Sequence, residues 1–136
     1  MSLNDELRFP IGKEEDQEGY EEDFNEPLKF LLIEDIKRLP VSLDYAIQNL
    51  DAAQLDTRYR SGGWTVNQII HHIADSHINA YVRFKLGLTE HNPVIKPYDQ
   101  DKWEDLPDTQ RVPVNISITL LHALHFRWFR CMETMN

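Results

Sequence analysis

The chain has 136 residues, which is enough for one domain and too few for two. Its net charge of −9 argues against nucleic acid and anionic membranes as partners, because both repel an acidic surface. No apolar run approaches the roughly 18 residues that a membrane span needs, and the N-terminus lacks the pattern of a signal peptide. The single cysteine, Cys131, excludes an internal disulfide. These features predict a soluble cytoplasmic protein.

Residues 1–26 are acidic and poor in aliphatic side chains. The run EEDQEGYEEDFNE within them carries eight acids in thirteen residues. This composition is typical of a solvated arm that cannot bury enough apolar surface to fold. We therefore predict an acidic N-terminal arm over residues 1–26, followed by one helical domain over residues 27–136.

The first helical pattern runs from about Glu26 to Leu50, where apolar residues recur at steps of three, four or seven. Pro40 lies inside this pattern. Proline lacks an N–H donor, and its ring clashes with the carbonyl group four residues earlier. We therefore predict a kink or a break near Arg38.

The second helical pattern has a marked start. Thr65, followed three residues later by Gln68, fits a capping box, in which each side chain satisfies the backbone N–H of the other residue. The helix is predicted to run over residues 66–88, because the prolines of TEHNPVIKPYD forbid its continuation.

The rest of the chain is predicted to form a long crossover over residues 89–114 and a third helix over residues 115–135. No segment shows the period-two alternation of a strand over more than a few residues. Three long helices joined by loops predict an all-α bundle, a fold that usually has four helices. Cys131 lies on the apolar stripe of the third helix, and we interpret it as a small core residue.

Two adjacent histidines lie in the segment HHIADSH of the second helix. Adjacent helical residues point about 100° apart, so the two side chains cannot share one role. If the apolar face is centred on Ile73, His71 falls near the opposite side, where it can pair with Asp75 at the surface. His72 falls at the edge of the apolar stripe. We therefore predict that His72 points inward and that His71 is the more exposed of the two.

A polar stripe continues from His72 along the same helix. Its members are Ser76, Asn79 and Arg83, at i+4, i+7 and i+11. Two interpretations remain open at this point. The stripe is either an ordinary boundary of the core, satisfied by water and loops, or the lining of a polar cavity in which a neutral imidazole binds a metal.

A metal site needs about three protein ligands, so one histidine is not sufficient. His122 and His125 lie at i and i+3 on the third helix, a spacing that can chelate a metal. The alternative is that His125 is a satisfied group at the edge of the apolar stripe. The sequence HALH alone does not decide between the two.

Four segments together resemble the YfiT branch of the DinB-like superfamily: FPIG, QLDTRYRSGGWTVNQIIHHIADSHINAYVRFKLGLTE, PVIKPYDQDKW and LLHALHFRW. They occur in the family's order and cover nearly the whole chain from Phe9 onward. The resemblance implies a four-helix up-and-down bundle that works as a metal-dependent hydrolase or a bacillithiol-type S-transferase. It also implies a homodimer, a small-molecule thiol or electrophile as substrate, and one zinc or nickel ion held by three histidines.

The resemblance assigns the first metal ligand to the second histidine of HHIADSH, which is His72. It makes Asp75 and the polar stripe of Ser76, Asn79 and Arg83 candidates for contacts near the metal or substrate, with the last two facing an anionic cosubstrate. The family's other two ligands lie in an HxxxH-type segment of a fourth helix, and no such segment occurs before Asn136. The resemblance therefore predicts a bundle that is incomplete at its C-terminal end, with three long helices.

A competing interpretation follows from the missing ligands. The chain would then be a non-enzymatic helical module that has lost the metal site and uses an exposed apolar groove to bind another chain. Metal content separates the two interpretations, because a single histidine retains almost no metal.

Overall fold

The computed structural model describes residues 25–135 of the chain. This part contains six helices: α1 (Glu26–Ile47), α2 (Ala52–Leu55), α3 (Val66–Thr89), α4 (Gln100–Glu104), α5 (Pro107–Arg111) and α6 (Val114–Glu133). It contains no strand, and only an isolated bridge joins Arg58 to Thr65. The all-α prediction is confirmed. The predicted acidic arm lies almost entirely outside the described residues.

Helix α6 lies at the centre of the fold and packs against both α1 and α3, while the short helices α4 and α5 pack against α3. The buried apolar side chains come mainly from the contact between α3 and α6: Ile70, Ala74, Ile118, Leu121, Trp128 and Phe129. Burial of one such large side chain contributes about 1.5–3 kcal/mol. Within residues 25–135, no helix is both long and apolar enough to cross a lipid bilayer.

Helix α1 runs through Pro40 without interruption, so of the kink or break predicted near Arg38 the break is wrong, and the kink stays a prediction. Since proline has no N–H, the carbonyl oxygen of Ile36 loses its usual partner within the helix. His125 of α6 replaces that partner, with its Nδ1 at 2.5 Å from the Ile36 oxygen. A side chain from the neighbouring helix thus satisfies the group that proline leaves unpaired.

The start of α3 has the predicted capping box. Thr65 Oγ1 accepts a hydrogen bond from the Gln68 backbone N–H at 3.2 Å, and Gln68 Oε1 accepts one from the Thr65 N–H at 3.0 Å. The helix ends at Thr89, one residue beyond the predicted end. This prediction is confirmed because capping is local chemistry that does not depend on the rest of the fold.

Replacing Thr65 by alanine removes the oxygen that satisfies the Gln68 amide. We expect the free energy of unfolding to fall by about 0.5–2 kcal/mol, measured by urea denaturation. Thr65→Ser is the matched control because it keeps the hydroxyl group. An equal loss in both variants would show that the cap is not the cause.

The crossover is more structured than the sequence predicts, because it contains α4 and α5. Asp99 Oδ1 caps α4 by accepting a hydrogen bond from the Lys102 N–H at 3.2 Å. Pro107 stands in the first turn of α5, where its missing N–H costs nothing. These two helices pack against α3, and α4 brings Glu104 close to His72.

Candidate metal centre

His71 is buried, with 4% of its surface exposed, so the prediction that it faces solvent is wrong. Its Nε2 lies 3.0 Å from the carbonyl oxygen of Val112, and its Nδ1 lies 2.7 Å from Ser117 Oγ. Because a carbonyl oxygen only accepts, Nε2 carries the proton and Nδ1 accepts from the serine hydroxyl. Both ring nitrogens therefore join α3 to the segment that runs from Val112 into the first turns of α6. Neither nitrogen takes part in the surface pair predicted with Asp75.

The error has a physical cause. The helical wheel assumed that α3 has one buried face, but α4, α5 and α6 all pack against this helix. The ring of His71 contacts Val112, just after α5, and Ser117 of α6. The buried residues of α3 are Ile70, His71 and Ala74, which do not centre on Ile73. Which side chains of α3 are buried therefore depends more on the elements that pack around the helix than on the spacing of its apolar residues.

His72 is less buried than its neighbour, with 21% of its side chain exposed. Its ring contacts that of Trp64, and the two ring centroids lie 4.6 Å apart. Nδ1 is fully buried and has no hydrogen-bond partner among residues 25–135. Glu104 Oε1 lies 3.7 Å from this nitrogen. Burial lowers the pKa of His72, and the negative charge of Asp101 offsets part of this effect, so the ring is neutral at pH 7.

Glu104 is a residue that the sequence analysis missed. It is fully buried, and neither carboxylate oxygen has a hydrogen-bond partner within the described residues. Burial, reinforced by the negative charges of Asp75 and Asp108, raises the pKa of Glu104 to about 7. A buried carboxyl group without partners costs stability, and such a group indicates a functional position. No sequence signal singled it out, because it lies in the charged run DKWEDLPD of a predicted loop.

The backbone of Glu104 is fixed in place by two hydrogen bonds. Its carbonyl oxygen accepts one from Thr109 Oγ1 at 2.6 Å and one from Gln68 Nε2 at 3.5 Å. Gln68 lies one turn before His72 on α3 and also closes the capping box. The first turn of α3 therefore places Glu104 beside His72.

Asp75 lies half-buried one turn after His71. Burial raises its pKa, the negative charge of Asp108 adds to the rise, and His71 offsets part of it. The negative charge of Asp75 in turn contributes to the raised pKa of Glu104. The side of α3 that carries Asp75 therefore faces several negative charges.

The predicted polar stripe is partly buried, but its members point to different partners. Asn79 Nδ2 donates to the backbone carbonyl of Asp75 at 2.9 Å, and one Arg83 nitrogen donates to the carbonyl of Lys96 at 3.0 Å. Arg83 thus ties the crossover to α3. Ser76 is partly buried between these positions.

Two clefts open near His72. One, of about 490 Å³, is lined by Trp64 on one side and by Gln100 and Asp101 on the other. The turn before Trp64 requires glycine at position 63, because a Cβ there would lie 2.7 Å from side-chain atoms of Tyr59 and Arg60. The turn therefore holds Trp64 between the cleft and the imidazole of His72.

The second cleft has a volume of about 380 Å³. Asn79, Tyr98 and Trp103 line it. Trp103 precedes Glu104 in the chain, and Asn79 lies two turns after His72. Asn79 is the residue of α3 that lines this cleft, whereas the first cleft approaches α3 through Trp64, just before the helix starts.

A second pair of histidines lies in the core. His77 Nδ1 is 2.7 Å from His125 Nε2. Because His125 Nδ1 donates to the Ile36 carbonyl oxygen, its Nε2 is the acceptor and His77 is the donor. Burial, with the nearby histidines 125 and 72, lowers the pKa of His77 to about 4, and burial also lowers that of His125. Both rings are neutral, and the pair is structural.

The possible chelating pair of His122 and His125 is not formed, because His122 is exposed and His125 is buried. The alternative, that His125 is a satisfied group at the core, agrees with the structure. Cys131 is a free, partly buried thiol on α6.

The described residues supply part of a metal site. Within residues 25–135, no three His, Cys, Asp or Glu side chains lie close enough together to bind one ion. His72 nevertheless has no hydrogen bond at its ring nitrogens within the described residues, and an imidazole nitrogen is a donor type that zinc and nickel accept. The His72 ring fits a metal as one member of a larger ligand set, with the buried carboxylate of Glu104 beside it.

Comparison with known proteins identifies the family of the chain. The profile of the DinB superfamily matches residues 36–135. A Bacillus cereus (strain AH820) protein named "Putative metal-dependent hydrolase" is 48% identical over 134 residues, which cover 98% of this chain and 74% of that protein. The same figures hold for a protein of the same name from Bacillus anthracis (strain A0248).

A solved structure is similar to nearly the whole chain. YfiT from Bacillus subtilis, described as a probable metal-dependent hydrolase with an unusual four-helix bundle topology, superposes with a TM-score of 0.87. The two sequences are 40% identical, and the match covers 96% of this chain and 73% of YfiT. The profile matches more than half of the chain, and relatives that are 48% identical match nearly its full length. The protein therefore belongs to the DinB superfamily.

Proposed function

We propose that this protein is a metal-dependent hydrolase in which His72 is one ligand of a single divalent ion, zinc or nickel. One observation carries the proposal. Three other histidines near the core, at positions 71, 77 and 125, use ring nitrogens in hydrogen bonds, whereas His72 has none within residues 25–135. A neutral imidazole with both nitrogens unpaired is suited to bind a metal. The names of the relatives support the same reaction class.

A divalent ion with open positions supplies Lewis acidity and lowers the pKa of bound water. The residues of this chain would orient what binds there. Trp64 packs on the ring of His72 and separates it from the larger cleft, which has room for a small molecule. Arg83 spends one of its five N–H donors on Lys96 and Asn79 lines the second cleft, so both are candidates for contacts to an anionic cosubstrate. Transfer of a thiol to an electrophile is the alternative reaction.

The remaining ligands must come from elsewhere, since the described residues hold no complete set. The chain covers 74% of the length of its curated relatives. We infer that a further segment, or a second subunit, brings two more histidines to His72. Asp75 and Ser76 would then lie near the metal on the same helix.

An open groove supports association with a further helix or a second copy. Apolar residues of α1 and α6, among them Ile33, Ile36 and Met132, line a groove of about 280 Å³ together with Phe84 of α3. Two exposed apolar side chains of α1 belong to this region: Leu32 lines the groove, and Phe30 lines a neighbouring one that shares Ile33. Apolar area of this kind favours burial against another chain or segment. A homodimer is therefore part of the proposal.

The test is metal binding by the chain itself and by a fusion that adds the C-terminal segment of YfiT. The 136-residue chain should retain almost no zinc or nickel after dialysis, whereas the fusion should hold about one ion per subunit, measured by elemental analysis. His72→Ala should abolish binding by the fusion. His122→Ala is the matched control, because that histidine is exposed and should not matter. Unchanged metal content in His72→Ala would refute the assignment.

A further inference from the structure

The contact between His72 and Glu104 has an unusual geometry for two buried polar groups. His72 Nδ1 and both Glu104 oxygens are buried, and none has a hydrogen-bond partner among residues 25–135. The nitrogen lies 3.7 Å from Oε1, which is slightly beyond hydrogen-bond length. The two groups therefore face each other directly.

The fold holds this arrangement from both sides. Gln68 and Thr109 fix the backbone of Glu104, and Trp64 packs on the ring of His72. Rotation of the free glutamate side chain by less than about 1 Å at its oxygen would close the gap to hydrogen-bond length. No backbone movement is required.

We propose that Glu104 is a positioning residue whose carboxylate accepts a hydrogen bond from His72 Nδ1 and thereby leaves Nε2 as the nitrogen that faces the metal. A ring nitrogen held by a carboxylate carries the proton, so the other nitrogen has its lone pair free. Nε2 is not among the buried unpaired atoms, which places it toward the accessible side of the ring.

This inference rests on the proposed role of His72 as a ligand, but its consequence can be measured without metal. The carboxylate fixes which tautomer of the neutral ring is populated. The tautomer is visible in the ¹⁵N chemical shifts of the imidazole, with the His72 signals assigned by comparison with His72→Gln. At pH 8.5 the ring is neutral, because burial lowers the pKa of His72 below its ordinary value of 6.5.

In the wild-type chain, His72 should carry its proton on Nδ1. Glu104→Leu removes the acceptor, and the ratio of the Nδ1–H to the Nε2–H form should fall on the order of tenfold, as expected for loss of a hydrogen bond to a charged group. Glu104→Gln should keep the wild-type tautomer, because its amide oxygen still accepts. Asp105→Asn, the adjacent exposed acid, is the matched control and should change nothing.

Two results would overturn the inference: a wild-type ring protonated on Nε2, or the same tautomer ratio in folded Glu104→Leu as in wild type. If Glu104→Leu does not fold, the wild-type tautomer and Glu104→Gln still decide. Zinc titration of the YfiT fusion carrying the same substitutions tests the ligand role separately. Unchanged zinc binding in His72→Ala would refute the proposed function. An unchanged tautomer ratio in Glu104→Leu would refute only the positioning role.

Discussion

Replacing His125 by alanine is expected to lower the free energy of unfolding by about 4 kcal/mol, from the loss of two buried hydrogen bonds and the cavity left by the ring. His125 is 1% exposed and satisfies the Ile36 carbonyl oxygen on one side and His77 on the other. Its loss leaves an unpaired acceptor in α1 and an unpaired donor in α3. The effect is a large share of the 5–15 kcal/mol that typically stabilises a domain.

The matched control is His122→Ala, three residues earlier on the same helix. His122 is exposed, so its replacement should change stability by no more than about 0.5 kcal/mol. Chemical denaturation of both variants at pH 7.5 measures the difference. Similar small losses in both would mean that the bond to Ile36 contributes little and that α1 tolerates Pro40 for another reason.

The second large effect concerns pH. The pKa of His77 is lowered to about 4 in the folded protein, against 6.5 for an ordinary histidine. Between these values the unfolded chain binds more protons than the folded one, so His77 lowers stability as the pH falls from about 6.5 to about 4. His77→Gln cannot titrate. The stability of wild type relative to this variant should therefore fall by up to about 3 kcal/mol between pH 7 and pH 4.

The comparison with a variant is necessary because Glu104 acts in the opposite direction. Its pKa rises from 4.5 to about 7 on folding, so its contribution to stability is present at low pH and is lost as the pH rises through this window. The two effects offset each other in the wild-type curve. Parallel curves for wild type and His77→Gln in guanidinium denaturation would contradict the assignment of His77.

The sequence predicted the features that depend on local chemistry. The capping box at Thr65 and Gln68 and the bounds of α3 and α6 follow from the residues within each helix, and the structure agrees within about two residues. The family resemblance is likewise confirmed, since its motifs cover nearly the whole chain. His72 as a ligand and the boundary of the helical domain at residue 27 stay predictions.

The features that depend on contacts between helices were not predictable. The exposed position expected for His71 is wrong because the Val112 carbonyl and Ser117 of α6 contact its ring. The break expected near Arg38 does not occur, and His125, 85 positions after Pro40, bonds to the carbonyl oxygen that the proline leaves unpaired. Glu104 was missed because burial of an acid depends on where the crossover packs. Each error concerns a side chain whose environment is built by a distant part of the chain.

Gln68 makes hydrogen bonds to two elements, and this links their motions. Its Oε1 closes the first turn of α3, while its Nε2 holds the carbonyl of Glu104. When the first turn of α3 frays, Gln68 gives up its bond to Thr65 and its bond to Glu104 together. We therefore expect slow amide exchange at the start of α3 to accompany a rigid segment beside His72, so that the first turn of the helix contributes to the rigidity of the candidate centre.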